Sequence, residues 1–250
     1  MRNKFLLAFF LSCFLSVGIA SAEDLVLESR EIKSAVFELY TSEGCSSCPP
    51  ADHWFGEMVQ SPLLWKKVIP VAFHVDYWNY LGWKDILSNS LCTERQMAYT
   101  RLLGITAYTP MVVLDGKEVK DWSHRSEWNY NLPEKVGKLT VERKWGKYQA
   151  QFSPLGGTIN DEWVLHGTRL GFGIMTDVRA GENRGRKLEH NFAVLSYAKA
   201  PMRHVVGGAM AAEIELKDNE NVRPERYGIA FWVSREGSPA PVQAVGGWDS

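Results

Sequence analysis

Two cysteines three residues apart, Cys45 and Cys48, stand where a buried strand gives way to a helix, and that placement constrains the fold more than any other feature of the chain. Ahead of them, Ala35 to Tyr40 (AVFELY) is apolar, β-branched or aromatic at nearly every position, which reads as a buried strand, and Thr41-Ser42-Glu43-Gly44 ends it. Behind them, Pro49 and Pro50 fit a first helical turn, where a missing N–H costs nothing. Ala51 to Gln60 then carries Trp54, Phe55, Met58 and Val59 at helical spacing. A Cys-x-x-Cys at a helix start brings two sulfurs within bonding reach while the helix N-terminus stabilises a thiolate on the first. Cys45 is thus the candidate nucleophile, and Cys48, one turn further in, the resolving thiol. The same spacing also serves as half of a zinc site or as a plain structural staple. The chain offers no second Cys-x-x-Cys and no histidine pair at ligand spacing to complete a zinc site.

Further along, Val68 to Val75 predicts a second buried strand, followed by an aromatic loop holding Tyr77, Trp78, Tyr80 and Trp83. Thr93 to Leu103 reads as a helix, with Thr93 and Gln96 as a capping box and Gly104 as its stop. Thr109-Pro110 opens the strand Met111 to Leu114, Asp115-Gly116 makes a hairpin turn, and Lys117 to Lys120 returns. That order predicts an α/β layout around one mixed sheet, assigned to residues 23–137. From residue 138 the character changes. Leu139 to Gln149, Trp163 to Met175, Ala193 to Ala198 and Gly228 to Val233 are short apolar or alternating segments between turns. They predict a β-rich, sandwich-like lobe over residues 138–250, with the boundary in the polar stretch 121–137.

The first 22 residues read as a secretory signal peptide: Arg2 and Lys4, an apolar run from Phe5 to Ala20, and Ala20-Ser21-Ala22 for cleavage after Ala22. The mature chain is then expected in the periplasm or outside the cell, and no further apolar stretch is long enough to span a membrane. Loss of Arg2 and Lys4 takes the formal charge from -1 to -3, which argues against nucleic acid as a partner. Three cysteines remain in the mature chain, Cys45, Cys48 and Cys92, so an oxidising compartment implies one pair and one thiol left over. The leftover, Cys92, reads as a buried spectator.

Three runs, FELYTSEGCSSCPPAD (Phe37 to Asp52), FHVDYWNYLGWKD (Phe73 to Asp85) and GENRGRKL (Gly181 to Leu188), make the chain resemble DUF1223, a family of exported bacterial proteins of unknown function. The first half also resembles the thioredoxin fold. That second resemblance implies a cis Pro110 facing the cysteines, with Thr109 offering its backbone to an incoming chain, and Glu38 below the site as a buried proton acceptor for Cys48, the alternative being a Glu38 that simply pairs with a lysine. Ser46-Ser47 between the cysteines and two prolines after them depart from the thioredoxin pattern and leave the direction of electron flow open. Tyr77, Trp78 and Trp83 could form a lip that holds a substrate, or simply pack. Glu182, Asn183, Arg184 and Arg186 form a charged turn that either folds back towards the cysteines or stands out as a hairpin tip.

The leading expectation is an exported thiol-disulfide oxidoreductase acting on protein or small-molecule thiols and disulfides, with no cofactor beyond its own sulfurs. Two alternatives stand beside it. One is a Cu(I)-binding protein using Cys45, Cys48 and His74, since soft thiolates suit Cu(I). The other is a non-redox binding module in which the cysteines are a staple.

Overall fold

A computed structural model describes residues 25–124, 133–156, 161–217 and 219–249. The proposed signal segment lies outside the described residues. The chain runs β1 (Val26–Glu28), β2 (Ala35–Thr41), α1 (Pro49–Gly56), β3 (Val68–His74), α2 (Ser90–Leu103), β4 (Met111–Leu114) and β5 (Lys117–Glu118). It continues with β6 (Gly137–Lys144), β7 (Lys147–Pro154), β8 (Trp163–Phe172), β9 (Ile174–Asp177), β10 (Lys187–His190) and β11 (Ala193–Pro201). The last strands are β12 (Arg203–His204), β13 (Met210–Ile214), β14 (Arg226–Arg235) and β15 (Pro241–Asp249).

The expected fold class, an α/β thioredoxin-like unit carrying a β-rich lobe, is not what forms. The described residues are 45% strand and 15% helix, and only two α-helices occur among them. The frame of the molecule is one eight-stranded sheet in the order β15-β14-β8-β11-β3-β2-β4-β5, which takes strands from both sides of residue 138. The join is the pairing of β11 with β3, parallel at Ala193 and Ala72, while β11 runs antiparallel to β8 along most of its length. The physical reason lies in the strands themselves. β2 and β3 are buried at every residue, β8 at all but one and β14 from Gly228 to Ser234, so none of these four can stand at an edge or leave a face to water. Continuing a single sheet gives each of them two neighbours and two covered faces.

Two cores cover that sheet. At one end Phe37, Phe55, Phe73, Phe192 and Trp232 pack with both helices. At the other, a five-stranded sheet in the order β1-β6-β7-β13-β12 lays Leu139, Val141 and Phe152 against Leu165, Ile229 and Phe231 of β8 and β14. A separate hairpin of β9 and β10 stands beside α1.

Local chemistry explains the ends of most elements. The Asp115-Gly116 turn joins β4 to β5 as expected, both residues having positive φ, 49° and 83°. Trp145-Gly146, at 50° and 78°, does the same between β6 and β7, so the segment read as one piece from Leu139 to Gln149 is a hairpin. The expected capping box of the second helix is also replaced. Asn89 caps α2 by accepting from the Cys92 N–H, Thr93 turns its hydroxyl to Asp76, and Gln96 donates to the Tyr108 carbonyl. Four residues before Thr93, Asn89 already meets the orphan N–H groups, which frees Thr93 and Gln96 for tertiary bonds.

Candidate functional site

The cysteine loop hangs between β2 and α1. Cys45 donates its N–H to the Ser42 carbonyl, Cys48 donates to the Cys45 carbonyl, and Cys48 becomes the N-cap of α1. These tight turns hold the two Cα atoms 5.4 Å apart, and the sulfurs form a disulfide. Both cysteines are buried, while Ser46 and Ser47 between them face solvent. Cys45 Sγ lies 3.7 Å from the Thr109 carbonyl oxygen, the Thr109–Pro110 peptide is cis, and the Ser47 hydroxyl sits 3.4 Å from the same sulfur.

Aromatic side chains brace this loop from one side. Trp78 donates its indole N–H to the Thr109 hydroxyl at 2.8 Å and packs so closely on Gly44 that a Cβ there would fall 2.9 Å from its own. Trp83 donates to Glu43 at 2.6 Å, and Tyr77 tilts against Trp78. Trp78 and Trp83 thus buttress the loop through hydrogen bonds, and Tyr77 packs behind them.

From the other side the β9–β10 connection folds back and clamps the loop. Asn183, fully buried, donates both amide hydrogens, one to the Glu43 carbonyl and one to the Cys45 carbonyl, each at 2.8 Å. Arg186 holds the Asn183 amide oxygen at 2.8 Å, and the Glu182 carboxylate accepts the Ser46 N–H at 3.0 Å. The Ser46 hydroxyl, and after it this N–H, hold the Glu182 carboxyl below its ordinary range. The charged turn therefore folds back onto the cysteine loop through Asn183 and Glu182, while Glu182, Arg184 and Arg186 stay exposed.

Glu38 lies elsewhere. Successive residues of β2 alternate between faces: Phe37 and Thr41 meet Trp54, Phe55 and Asp52 of α1, while Glu38 and Tyr40 look the other way, to α2. There Glu38 receives Arg95 through both carboxylate oxygens, at 2.6 and 2.8 Å, together with the hydroxyls of Tyr40 and Tyr99. Its partners belong to a buried ion-pair cluster on the face away from α1.

His74 likewise bonds away from the sulfurs. Its Nδ1 lies 2.7 Å from Asp85, whose other contacts are the N–H groups of Glu43 and Leu87. Burial opposes a charge on His74, but the Asp85 carboxylate outweighs it and raises the imidazole to about 9. The His74 ring meets the His190 ring edge-on at 4.8 Å, and one ligand atom each from Asp52, His74 and His190 lies within 4.8 Å of the other two. Sequence reasoning named Asn183 in the charged turn but missed Glu43, Asp52, Asp85 and His190 as a group. Glu43, Asp52 and Asp85 stand inside two of the runs that carry the family resemblance and Asn183 inside the third, and that was the available signal.

Cys92 is buried in the first turn of α2, and burial pushes its thiol up to about 12. Native oxidised protein is therefore expected to show no thiol reactive towards iodoacetamide over minutes at neutral pH, and the mature chain one thiol after denaturation. Rapid native labelling at Cys92, located by mass spectrometry, would contradict this placement.

No curated protein matches the chain. Among solved structures, a crystal structure of a protein from Agrobacterium tumefaciens is 27% identical with a TM-score of 0.58, the alignment covering 87% of this chain and 95% of that one. The structure of HBP35 of Porphyromonas gingivalis is similar in fold, at 12% identity and a TM-score of 0.56, covering 88% of this chain and 76% of the other. The family model described as a protein of unknown function, DUF1223, matches residues 36–234, a span that holds the cysteine loop, the aromatic brace and the Asn183 clamp. The chain belongs to the DUF1223 family.

Proposed function

We propose that this protein is an exported thiol-disulfide exchange protein working through Cys45 and Cys48. The observation that carries the reading is the setting of Cys45: its sulfur lies beside the Thr109 carbonyl and the Ser47 hydroxyl, at the edge of a loop whose next two residues are exposed. In the reducing direction the Cys45 thiolate attacks a substrate disulfide, forming a mixed disulfide and expelling one substrate thiolate. Cys48 then attacks the Cys45 sulfur, releases the second substrate thiolate and restores the internal disulfide. The substrate gains two electrons and the protein loses two; the reverse sequence oxidises a substrate dithiol.

In this reading Thr109 and Pro110 shape the approach to Cys45, Trp78 fixes Thr109, and Trp83 fixes Glu43. A substrate reaches the buried Cys45 sulfur past Ser46 and Ser47, which places Glu182 at the entrance. The burial of both sulfurs and their clamping by Asn183 favour a second reading, a binding module in which the disulfide only holds the loop.

Thiol trapping in glutathione buffers separates the two. An exchange protein gives a potential between roughly -270 and -120 mV, the range of known exchange catalysts, and its Cys48→Ala variant accumulates a mixed disulfide at Cys45 that Cys45→Ser cannot form. A potential below about -300 mV with no trapped adduct would leave only the staple.

A further inference from the structure

We propose that Asp52, His74, His190 and Glu43 form a binding site for a divalent transition-metal ion of the zinc type, on the inner side of the cysteine loop and without a sulfur ligand. The site rests on atoms the exchange chemistry does not use.

The first argument is the inventory of unpaired atoms. His74 and Glu43 are fully buried and His190 is 2% exposed, yet His74 Nε2, Glu43 Oε1 and both ring nitrogens of His190 have no hydrogen-bond partner among the described residues. Glu43 Oε1 and His190 Nε2 face each other at 3.2 Å without the angle of a hydrogen bond. Leaving a buried polar group unpaired costs about 1–3 kcal/mol, more when it is charged, and native interiors leave few such groups. Asp52 from α1, His74 from the end of β3 and His190 from the end of β10 bring one ligand atom each within 4.8 Å of the other two, and Glu43 joins them from the cysteine loop through its 3.2 Å contact with His190. One metal cation, displacing the proton that His74 otherwise carries on Nε2, takes up lone pairs of His74, His190 and Glu43 together.

The second argument is orientation. His74 gives its Nδ1 to Asp85 at 2.7 Å, and Asp85 is itself fixed by the N–H groups of Glu43 and Leu87. That leaves Nε2 turned inward, the carboxylate–histidine–metal arrangement that fixes both tautomer and ring direction. Asp52 is held in the same way by the Thr41 hydroxyl at 2.9 Å, and Glu43 by the Trp83 indole at 2.6 Å. The ligand atoms of Asp52, His74 and His190 lie within 4.8 Å of one another, and atoms bound to one zinc at about 2.0–2.2 Å lie up to about 4 Å apart, so closure needs small side-chain shifts.

Donor type selects the ion. Two imidazoles and two carboxylates suit zinc and its first-row neighbours, whereas an all-oxygen shell would suit calcium or magnesium and thiolates would suit Cu(I). An entry path exists: a surface cleft of about 450 Å³ between α1 and β10 is lined by Asp52, His53, Glu57 and Glu189, and it opens on the half-buried Asp52. The bound ion would tie the cysteine loop to β3 and to the β9–β10 hairpin, whose turn carries Asn183.

The test uses the mature, oxidised protein after chelator treatment, with Zn2+ followed by calorimetry and by metal analysis after dialysis, and Co2+ by visible absorption. The expected result is one Zn2+ per chain, kept in the Cys45→Ser/Cys48→Ser variant, and a Co2+ spectrum without thiolate charge-transfer bands. Asp52→Asn and His190→Gln are each expected to weaken Zn2+ binding at least a hundredfold, and Asp85→Asn, which acts through His74, ten- to a hundredfold. Asp52→Asn keeps the size of a half-buried side chain and so serves where His190→Gln does not fold. The proposal is overturned if the oxidised protein takes up no Zn2+ or Co2+ at tens of micromolar, if binding needs the cysteines, or if Asp52→Asn binds as tightly as the parent. Failure of disulfide exchange would leave it untouched, since no readout involves a thiol.

Discussion

Arg95→Ala is expected to destabilise the protein by about 3–5 kcal/mol, the largest single effect outside the sulfur chemistry. Arg95 and Glu38 have side chains at most 2% exposed and meet through two hydrogen bonds, so removing one partner leaves a charge in a place water cannot reach. Arg95 also lies over the rings of Trp232, Phe73 and Tyr99 at 4.8, 5.4 and 5.4 Å and donates to the Pro239 carbonyl, so the truncation removes packing as well. In thermal unfolding, a loss of that size in a domain of this length is a fall of roughly 6–20 °C. The paired variant Arg95→Met/Glu38→Gln removes both charges, fills the space, and keeps an acceptor oxygen for one of the Tyr40 and Tyr99 hydroxyls while offering an amide N–H to the other. It is expected to recover more than half of the loss, because most of the single-variant cost is the stranded carboxylate. Urea unfolding of the parent, both singles and the pair measures the coupling. A loss below about 1 kcal/mol for Arg95→Ala would show that Glu38 is not held as described.

The same cluster shows how far the sequence could be read. Glu38 was legible as a buried acid in the first strand, but its side was not: one step along a strand reverses the face, and only contact with α2 decides which acid looks at the sulfurs. Elements with strong local signals were legible. The strand before Cys45, the prolines opening α1, the Asp115-Gly116 turn and the return of β5 all follow from short-range chemistry. The continuity of the large sheet was not, because it hangs on Ala193 of β11 meeting Ala72 of β3, and two small residues far apart in sequence carry no pairing signal. The strand WVLHGTRLGF was itself legible inside the apolar segment from Trp163, but nothing in a run buried on both faces says which strands flank it. For the site, the cysteines, Thr109, Pro110 and the tryptophans were recognisable by type. Glu43, Asp85 and His190 were not, since buried acids and histidines have the same letters as exposed ones.

His166 is such a histidine, and it is expected to make the protein acid-sensitive. It sits in β8 with its ring parallel to Trp232 at 5.2 Å and to Tyr197 at 6.0 Å, and its nitrogens meet the hydroxyls of Tyr197 at 2.7 Å and Ser234 at 2.9 Å. A neutral imidazole satisfies both contacts with one donor and one acceptor. Burial, and after it the positive charges of Arg95 and Lys199, hold its pKa well below 6.5 in the folded state. The unfolded chain, with an ordinary histidine, binds a proton below about pH 6.5 that the folded chain refuses. The stability tied to His166 is therefore complete above about pH 6.5 and falls by about 1.4 kcal/mol for each pH unit below it, until the folded pKa is reached. His74, raised to about 9, works in the opposite sense, its contribution being present below about pH 6.5 and lost as pH rises through about 9, so it is flat across the acid window. Burial raises Asp52 and Asp115, which favours the folded state as pH falls and partly masks the slope in the parent protein. Subtracting the pH profile of His166→Gln from that of the parent cancels those carboxylates and leaves the histidine. Urea unfolding between about pH 7 and about pH 5 should give a difference curve that is level at the upper end and declines by about 2 kcal/mol at the lower. A difference curve flat throughout would mean that His166 takes up its proton in the folded protein, and that burial beside Arg95 does not keep β8 neutral.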